Sequence, residues 1–521
     1  MNDTRQPDEH RPTITRRHAL QLGVGGLVVA GVGTAGTLSW RRNADAAPVT
    51  PTSPEVRAAE QGRAKTGKLV TRKLVAQPTT IDLAGRQATT WGFGDGVPTS
   101  AIRASAGDQL RVDLSNHLPA ATTIHWHGLA LRNDMDGVPD VTMAAVQPGG
   151  SFRYQFTLPH PGTFWFHPHV GVQLDTGMLG ALVIEDPAEP LAYDDDVVLV
   201  LDDWTDGISA SPDTVLADLA ANGMPGMGSG MSGMSGMSGM GGMSGSGGMG
   251  TDDQHPLGQD TGDVRYPFHL INGKPPKDPT VVTTKPAKRV RLRLVNAGSD
   301  TAYRFAIGGH RLRVVAADGY PVQPVDVDTL ILGMGERYDV IVTAQSGAFP
   351  IIAVPEGKPD QPAFAVLRSG SGTTPAATAP ELSGRRLTYA DLQPTAAVAL
   401  PTKTPDRTLD VGVQMGNGGR EWLINGKTYA DHVPLHVRSG ERVRLRLQNQ
   451  TMMFHPMHLH GHTFALVTNG TPGVRKDTIN VLPMQTLEVD LHADNPGQWL
   501  LHCHNAYHGE LGMMTVMSYV R

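Results

Sequence analysis

The chain has 521 residues with 44 basic against 50 acidic side chains. No basic block occurs beyond its N-terminus, so it lacks the electrostatic footprint of a nucleic-acid-binding protein. Its length predicts two or three domains, and its 61 glycines and 39 prolines favour many short strands and turns over long helices.

Residues 1–46 read as a leader. "TRRHALQ" (Thr15–Gln21) runs into the weakly apolar "LGVGGLVVAGVGTAGTL" and then "ADA" (Ala44–Ala46), a pattern similar to a twin-arginine export signal. The alternative is a membrane anchor, but Gly23–Leu38 is glycine-rich and falls short of the roughly 20 apolar residues a span needs. The twin-arginine export machinery is therefore an expected partner, and the mature protein is expected in the periplasm, at the cell surface or outside the cell. Exported proteins normally pair their cysteines as disulfides. This chain has one cysteine, Cys503, which must serve another purpose.

Beyond the leader the chain repeats. "GDQLRVDLSN" (Gly107–Asn116), "AKRVRLRLVN" (Ala287–Asn296) and "GERVRLRLQN" (Gly440–Asn449) share a period-2 apolar pattern, which predicts half-buried strands. "INGK" precedes two of them, at Ile271 and Ile424. A second shared element follows in each unit: "PGTFWFHPH" from Pro161, "SGAFPIIAV" from Ser346 and "PGQWLLHCH" from Pro496. The reading is all-β: three β-sandwiches in tandem at 65–188, 195–370 and 385–521, joined by linkers near 185–195 and 369–384.

The repeats also locate the chemistry. Nine and eleven residues past the repeat asparagine lie His125 and His127 in the first unit, Phe305 and Ile307 in the second, His458 and His460 in the third. Counting from the glycine of the second element gives His167 and His169, then Ile352 and Val354, then His502 and His504. Residues i and i+2 of a strand face the same way about 7 Å apart. If the first and third units meet, eight imidazoles converge, and the middle unit contributes none. Other histidines, including His10, His255 and His432, have no such support and are expected to face solvent.

On a strand, Cys503 points away from His502 and His504, toward a separate site. With His455 of "HPMHLH", His508 and Met513 of "HCHNAYHGELGMM" it forms a trigonal Cys-His-His set with an axial thioether, the ligand set of blue-copper electron transfer. Zinc is the alternative for any Cys/His site, but it has no redox chemistry and leaves the histidine cluster unexplained. By the repeats Met513 corresponds to Met178, which has no cysteine partner and reads as core.

"HWHG" (His125–Gly128), "HPH" (His167–His169), "HPMHLH" (His455–His460) and "HCHNAYHGELGM" (His502–Met513) resemble, in order and spacing, the four copper signatures of three-domain multicopper oxidases, the family that includes laccases. The resemblance covers essentially all of the mature chain. It implies three cupredoxin-like domains and four copper ions. Type 1 copper would lie at His455, Cys503 and His508 with Met513 axial, and type 2 copper at His125 and His458. The type 3 pair would be held by His127, His167 and His504 on one ion and by His169, His460 and His502 on the other. It further implies four one-electron oxidations of a reducing substrate coupled to reduction of dioxygen to water. Asp136, in "NDMDGVPD", and Glu510 are the carboxylates placed to relay protons, although Asp136-Gly137 is also a turn signal. Several bacterial relatives carry an acid where this chain has Gly509, a departure that bears on Glu510.

The segment Gly223–Gly250, inserted in the second unit, holds eight methionines set among glycine and serine. Its composition cannot bury enough apolar surface to offset chain entropy, and its thioethers are soft donors that select Cu(I). It resembles the methionine-rich insertions of copper-efflux oxidases. Cu(I), in copper tolerance, is therefore the expected substrate, with phenols or aromatic amines as the laccase-type alternative. A blue-copper carrier and a copper-storage protein are the non-enzymatic alternatives, and a monomer is expected.

Overall fold

A computed structural model describes residues 47–94, 96–223 and 254–521. The export-signal reading and nearly all of the methionine-rich segment concern residues outside these. The described strands form six sheets that pair into three sandwiches. The first sandwich draws its strands from residues 69–185, the second from 195–368 and the third from 407–519. In each, the repeat strand lies inside the larger or first sheet, parallel to the strand that opens the unit: Leu69–Asp82 beside Gln109–Asn116, Asp195–Trp204 beside Arg289–Asn296, and Arg407–Gly416 beside Arg442–Asn449. The opposing sheets carry His125–His127 against Gly162–His167, and His455–Leu459 against Gln498–Cys503. This is the architecture of three cupredoxin-like β-sandwiches.

Gln109–Asn116 alternates buried and half-buried residues along its whole length, with Leu110, Val112 and Leu114 in the core. Arg289–Asn296 departs from the predicted half-burial, since all but its first residue are buried. Its outward side chains Arg291 and Arg293 are covered by neighbouring chain and satisfied there. Arg291 meets Glu189 and Asp339 at 2.6 Å each, and Arg293 reaches Asp196 at 2.8 Å and Thr163 Oγ1 of the first sandwich at 2.9 Å. Buried guanidinium groups persist because forked contacts replace the water they lose.

The asparagine ending each repeat strand is a folding device. Asn116, Asn296 and Asn449 are buried, and each accepts a backbone N–H two residues on, from Leu118, Gly298 and Thr451 at 2.9–3.0 Å. Each also donates through Nδ2 to one carbonyl of the connection beyond, Ala120, Thr301 or Met453, and to one some thirty residues on, Val146, Leu332 or Val481, Asn449 reaching Leu482 as well. These bonds pin the chain entering the next strand, which is why counting from the asparagine finds equivalent positions. The two "INGK" segments are tight turns with Asn272 and Asn425 at positive φ, 54° and 52°, followed by glycines also at positive φ, as such turns require.

The chain before residue 65 is also tied in. Helix Pro54–Gln61 presents Glu60, whose Oε1 accepts from the backbone N and Oγ1 of Thr157 at 2.8 and 2.7 Å, and Val49 N donates to Tyr519 O. Two histidines differ from expectation: His432 is half-buried, its Nδ1 donating to Tyr429 O at 2.7 Å, and His255 is half-buried. Met178 is fully buried in the main core.

Candidate metal centre

The pairing register puts His125 opposite His167 and His458 opposite His502, so the counted histidines are neighbours in space. The strands end early: His169, His460 and His504 lie just beyond them. All eight rings are buried except His169, which is half-buried. Rings of the first and third sandwiches stack directly, His125 on His460 at 3.7 Å and His127 on His458 at 3.8 Å between centroids. In the middle sandwich the register corrects the count by one residue. Phe305 pairs with Ala353, not Ile352, so Ala353 and Pro355 hold the places of the second histidine pair, and Ile352 packs on the other face with Ala306 and Phe364.

The nitrogen atoms divide into held and free. Nδ1 of His125 donates to Asp136 O at 3.0 Å, of His167 to Pro168 O at 2.8 Å, of His458 to Asp477 O at 2.9 Å and of His502 to Cys503 O at 2.8 Å. His460 Nδ1 donates to Asp136 Oδ2 at 2.9 Å and His127 Nε2 to Asp477 Oδ1 at 3.1 Å. The opposite atoms, Nε2 of His125, His167 and His458, Nδ1 of His127, and both nitrogens of His504, are buried without partners. An unpaired buried polar atom costs about 1–3 kcal/mol, and this many converging atoms fit bound metal. Candidate ligand atoms lie within 4.8 Å of one another in three sets: His125, His127 and His458; His127, His167 and His504; and His169, His460 and His502. Burial, reinforced by neighbouring imidazoles, holds His167, His169, His460, His502 and His504 well below the usual histidine range, leaving neutral lone pairs for an ion.

Cys503, His455 and His508 form the second set. Sγ stands 3.7 Å from both Nδ1 atoms, which are 3.2 Å apart. His508 rides on the short helix Ala506–Glu510, whose N-cap Asn505 accepts from Tyr507 N and His508 N. The outer nitrogens are fixed too, His455 Nε2 by Thr451 Oγ1 at 2.8 Å and His508 Nε2 by Asp263 Oδ2 at 2.9 Å. Burial disfavours a charged His508, but Asp263 and Cys503 outweigh it and push the metal-free imidazole up to about 10. Met513 is buried with Cys503 in the main core, and its carbonyl accepts from Cys503 N at 3.1 Å.

Asp136 is fully buried under His125 and His460. The turn and the site are one feature: Gly137 sits at φ +84°, where an added Cβ would lie 1.9 Å from Ile124 O. Glu510 and Met514 line a small cavity of about 30 Å³ against His167, His169, His502 and His504. Asp477, Asp263, Thr451 and Trp422, whose ring lies 4.0 Å from that of His508, escaped the sequence reading. None sits in a histidine motif; only "VRKDTI", on the strands after "HPMHLH", offered a trace of Asp477.

Comparison with known proteins bears on this geometry directly. Multicopper oxidase family models match residues 75–189, 195–371 and 399–520. The multicopper oxidase MmcO of Mycobacterium tuberculosis is 44% identical over 469 residues, 89% of this chain and 90% of that protein. Copper resistance protein A of Escherichia coli is 28% identical, covering 84% and 90%. Among solved structures, a multi-copper oxidase from Pseudomonas thermotolerans aligns with TM-score 0.66 and 27% identity over 87% of this chain and 99% of that one. The laccase from Botrytis aclada aligns with TM-score 0.68 and 26% identity over 88% of each. With three matching domains and a relative of this identity, and with two converging sets of buried side chains that could hold metal, the chain belongs to the multicopper oxidases, a family of copper-dependent oxidoreductases.

Proposed function

We propose that this oxidase takes its electrons from Cu(I) at the Cys503 site and serves copper tolerance. The carrying observation is a pocket of about 460 Å³ lined by Asp260, Met415, Trp422, Thr451, Met452 and Met453. Trp422 packs against His508, and Thr451 bonds His455, so a donor in this pocket is one side chain away from each buried imidazole. The thioethers suit a soft cation, the eight methionines of 223–250 supply more of the same donor, and copper resistance proteins are among the relatives. Trp422 and Leu423 also offer apolar surface to a phenol, the secondary activity.

Of the residues present, His455, Cys503 and His508 would hold a type 1 copper, with the thioether of Met513 as a further soft donor, and His125 and His458 a type 2 copper. His127, His167 and His504, and His169, His460 and His502, would hold a type 3 pair. Bound copper supplies one-electron redox chemistry and the place where dioxygen is reduced to water. Cys503 and its flanking histidines give the electrons a short path, helped by the bond from His502 Nδ1 to the Cys503 carbonyl. Asp136 holds a carboxylate oxygen against His460, and Glu510 borders the cluster cavity; these two are the proton relays. Residues 1–46 direct twin-arginine export, placing the enzyme outside the cytoplasmic membrane.

Oxygen uptake by copper-replete protein with Cu(I) and with a phenol tests this reading. Met415→Leu with Met452→Leu should raise the KM for Cu(I) several-fold and leave phenol turnover nearly unchanged, and deletion of 223–250 should act in the same direction. Equal Cu(I) kinetics in all three proteins would return the enzyme to the laccase reading. No substrate-dependent oxygen uptake would leave a carrier or storage protein.

A further inference from the structure

Among the described residues the middle sandwich offers the cluster no histidine, yet its Arg337 and Asp318 both reach Asp477, which holds two of the imidazoles. Arg337 begins the strand Arg337–Thr343 and is fully buried. Its Nη1 and Nη2 donate to Oδ1 and Oδ2 of Asp477, both at 2.6 Å, while Nε donates to Thr163 O at 3.1 Å and Nη1 also to Gly335 O at 3.1 Å. A single guanidinium thus touches all three sandwiches. The fork leaves no slack: a Cβ on Gly128, the glycine of "HWHG", would lie 2.4 Å from Arg337 Nη2 and 2.6 Å from Asp477 Oδ2. Asp318 of the middle sandwich holds Asp477 from its backbone, accepting from Asp477 N and Thr478 N at 3.2 Å, and accepts from Arg337 N at 2.9 Å.

Asp477 meets two stacked imidazoles with two different acceptors. Its carboxylate takes the Nε2 hydrogen of His127, leaving Nδ1 free toward the cluster, and its carbonyl takes the Nδ1 hydrogen of His458, leaving Nε2 free. Without a fixed Asp477 either ring could take the other tautomer and turn a hydrogen, in place of a lone pair, toward the metal. We propose that Arg337 is a positioning residue for the metal cluster: by clamping Asp477 it holds His127 and His458 in opposite tautomers, each with its lone pair aimed into the cluster at the ion that ring would bind. The inference rests on the reading that the eight imidazoles hold copper, and it gives the middle sandwich a part in the oxidase centre that its own side chains at the ligand positions do not.

The test uses the full chain as parent, Arg337→Gln, Arg337→Lys and Asp477→Asn. In copper-depleted protein labelled with ¹⁵N-histidine, the parent should show His127 protonated at Nε2 and His458 at Nδ1, and Arg337→Gln should lose the His127 state. In copper-replete protein, chelator titration should strip cluster copper from Arg337→Gln at about 10- to 100-fold lower chelator concentration, the usual cost of losing an outer partner of a metal-bound histidine, with the blue absorption of the Cys503 site retained. Arg337→Lys, a charge without the fork, should fall between parent and Arg337→Gln. Unchanged tautomers and retention in Arg337→Gln would overturn the proposal, as would parallel loss of blue and cluster copper, which marks a residue that only holds the fold. If Arg337→Gln does not fold, Asp477→Asn carries the test, with the same shift expected and parental behaviour decisive against it. A parent that binds no cluster copper would instead break the oxidase assignment, and its tautomers would still be read in the metal-free protein.

Discussion

The outer sandwiches and the middle one share the strand pattern, the terminal asparagine that pins the following chain, and the glycine opening the second element, at φ +146° in Gly162 and Gly347 and +152° in Gly497. What differs is the filling. Where the outer units turn His125, His127, His458 and His502 toward one another, the middle unit packs Phe305, Ile307 and Ala353 into its own core. One backbone solution thus serves two ends: a core closed by its own apolar side chains, and a polar cavity whose unpartnered imidazole nitrogens could hold an ion.

The sharpest way to break that comparison is at the cysteine. Cys503→Ser should abolish the blue absorption and essentially all oxidation of reducing substrates, while metal analysis finds cluster copper retained; a surviving blue band would move the site elsewhere. Next in size is a matched pair of truncations. Phe305→Ala should cost about 3–5 kcal/mol as a core cavity, read by denaturant unfolding, with copper content unchanged. His458→Ala should release cluster copper and cost the copper-depleted protein far less. Similar stability losses from both in copper-free protein would mean that the outer cavities are packed like the middle one.

The third contrast is with pH. Burial lowers the folded-state values of His127, His167, His169, His460, His502 and His504, so the unfolded chain binds more protons below its own value of about 6.5. Copper-depleted protein should therefore be most stable above about pH 6.5 and lose about 1.4 kcal/mol per pH unit per histidine below it. His508 has the opposite sign: its stabilisation is complete below the unfolded value and is lost as pH rises through about 10. Bound copper should flatten the acid limb, and chemical denaturation across pH with and without the metal checks this. Smallest in structural effect, Met513→Leu should stay folded and blue with a raised potential, measured by redox titration; an unchanged potential would remove Met513 from the axial place.

Much of the centre was legible because its ligands are local. Two imidazoles two residues apart on a strand share a face whatever the rest of the chain does, and Cys503 between two of them must point the other way. The partners that hold the outer nitrogens were not legible. Asp477 lies 350 residues from His127, Asp263 lies 245 from His508, and Asp136 lies 324 from His460; of the three, only Asp136 sat close enough to a copper motif to be noticed. Register was lost where the middle unit holds one residue more between Gly347 and the position facing Phe305, a difference invisible until the strands pair.

Sequence alone therefore determined the tandem all-β architecture and which histidines, with Cys503, come together in space, because period-2 burial and the asparagine-pinned connections are properties of short segments. Only the tertiary structure decided which nitrogens of His125, His127, His167 and His458 are held and which are free, which rings stack across sandwiches, and that Arg337 of the middle unit grips Asp477 beneath the cluster. Those outcomes depend on hydrogen bonds between residues hundreds of positions apart, and such bonds take their geometry from the packing of whole sheets.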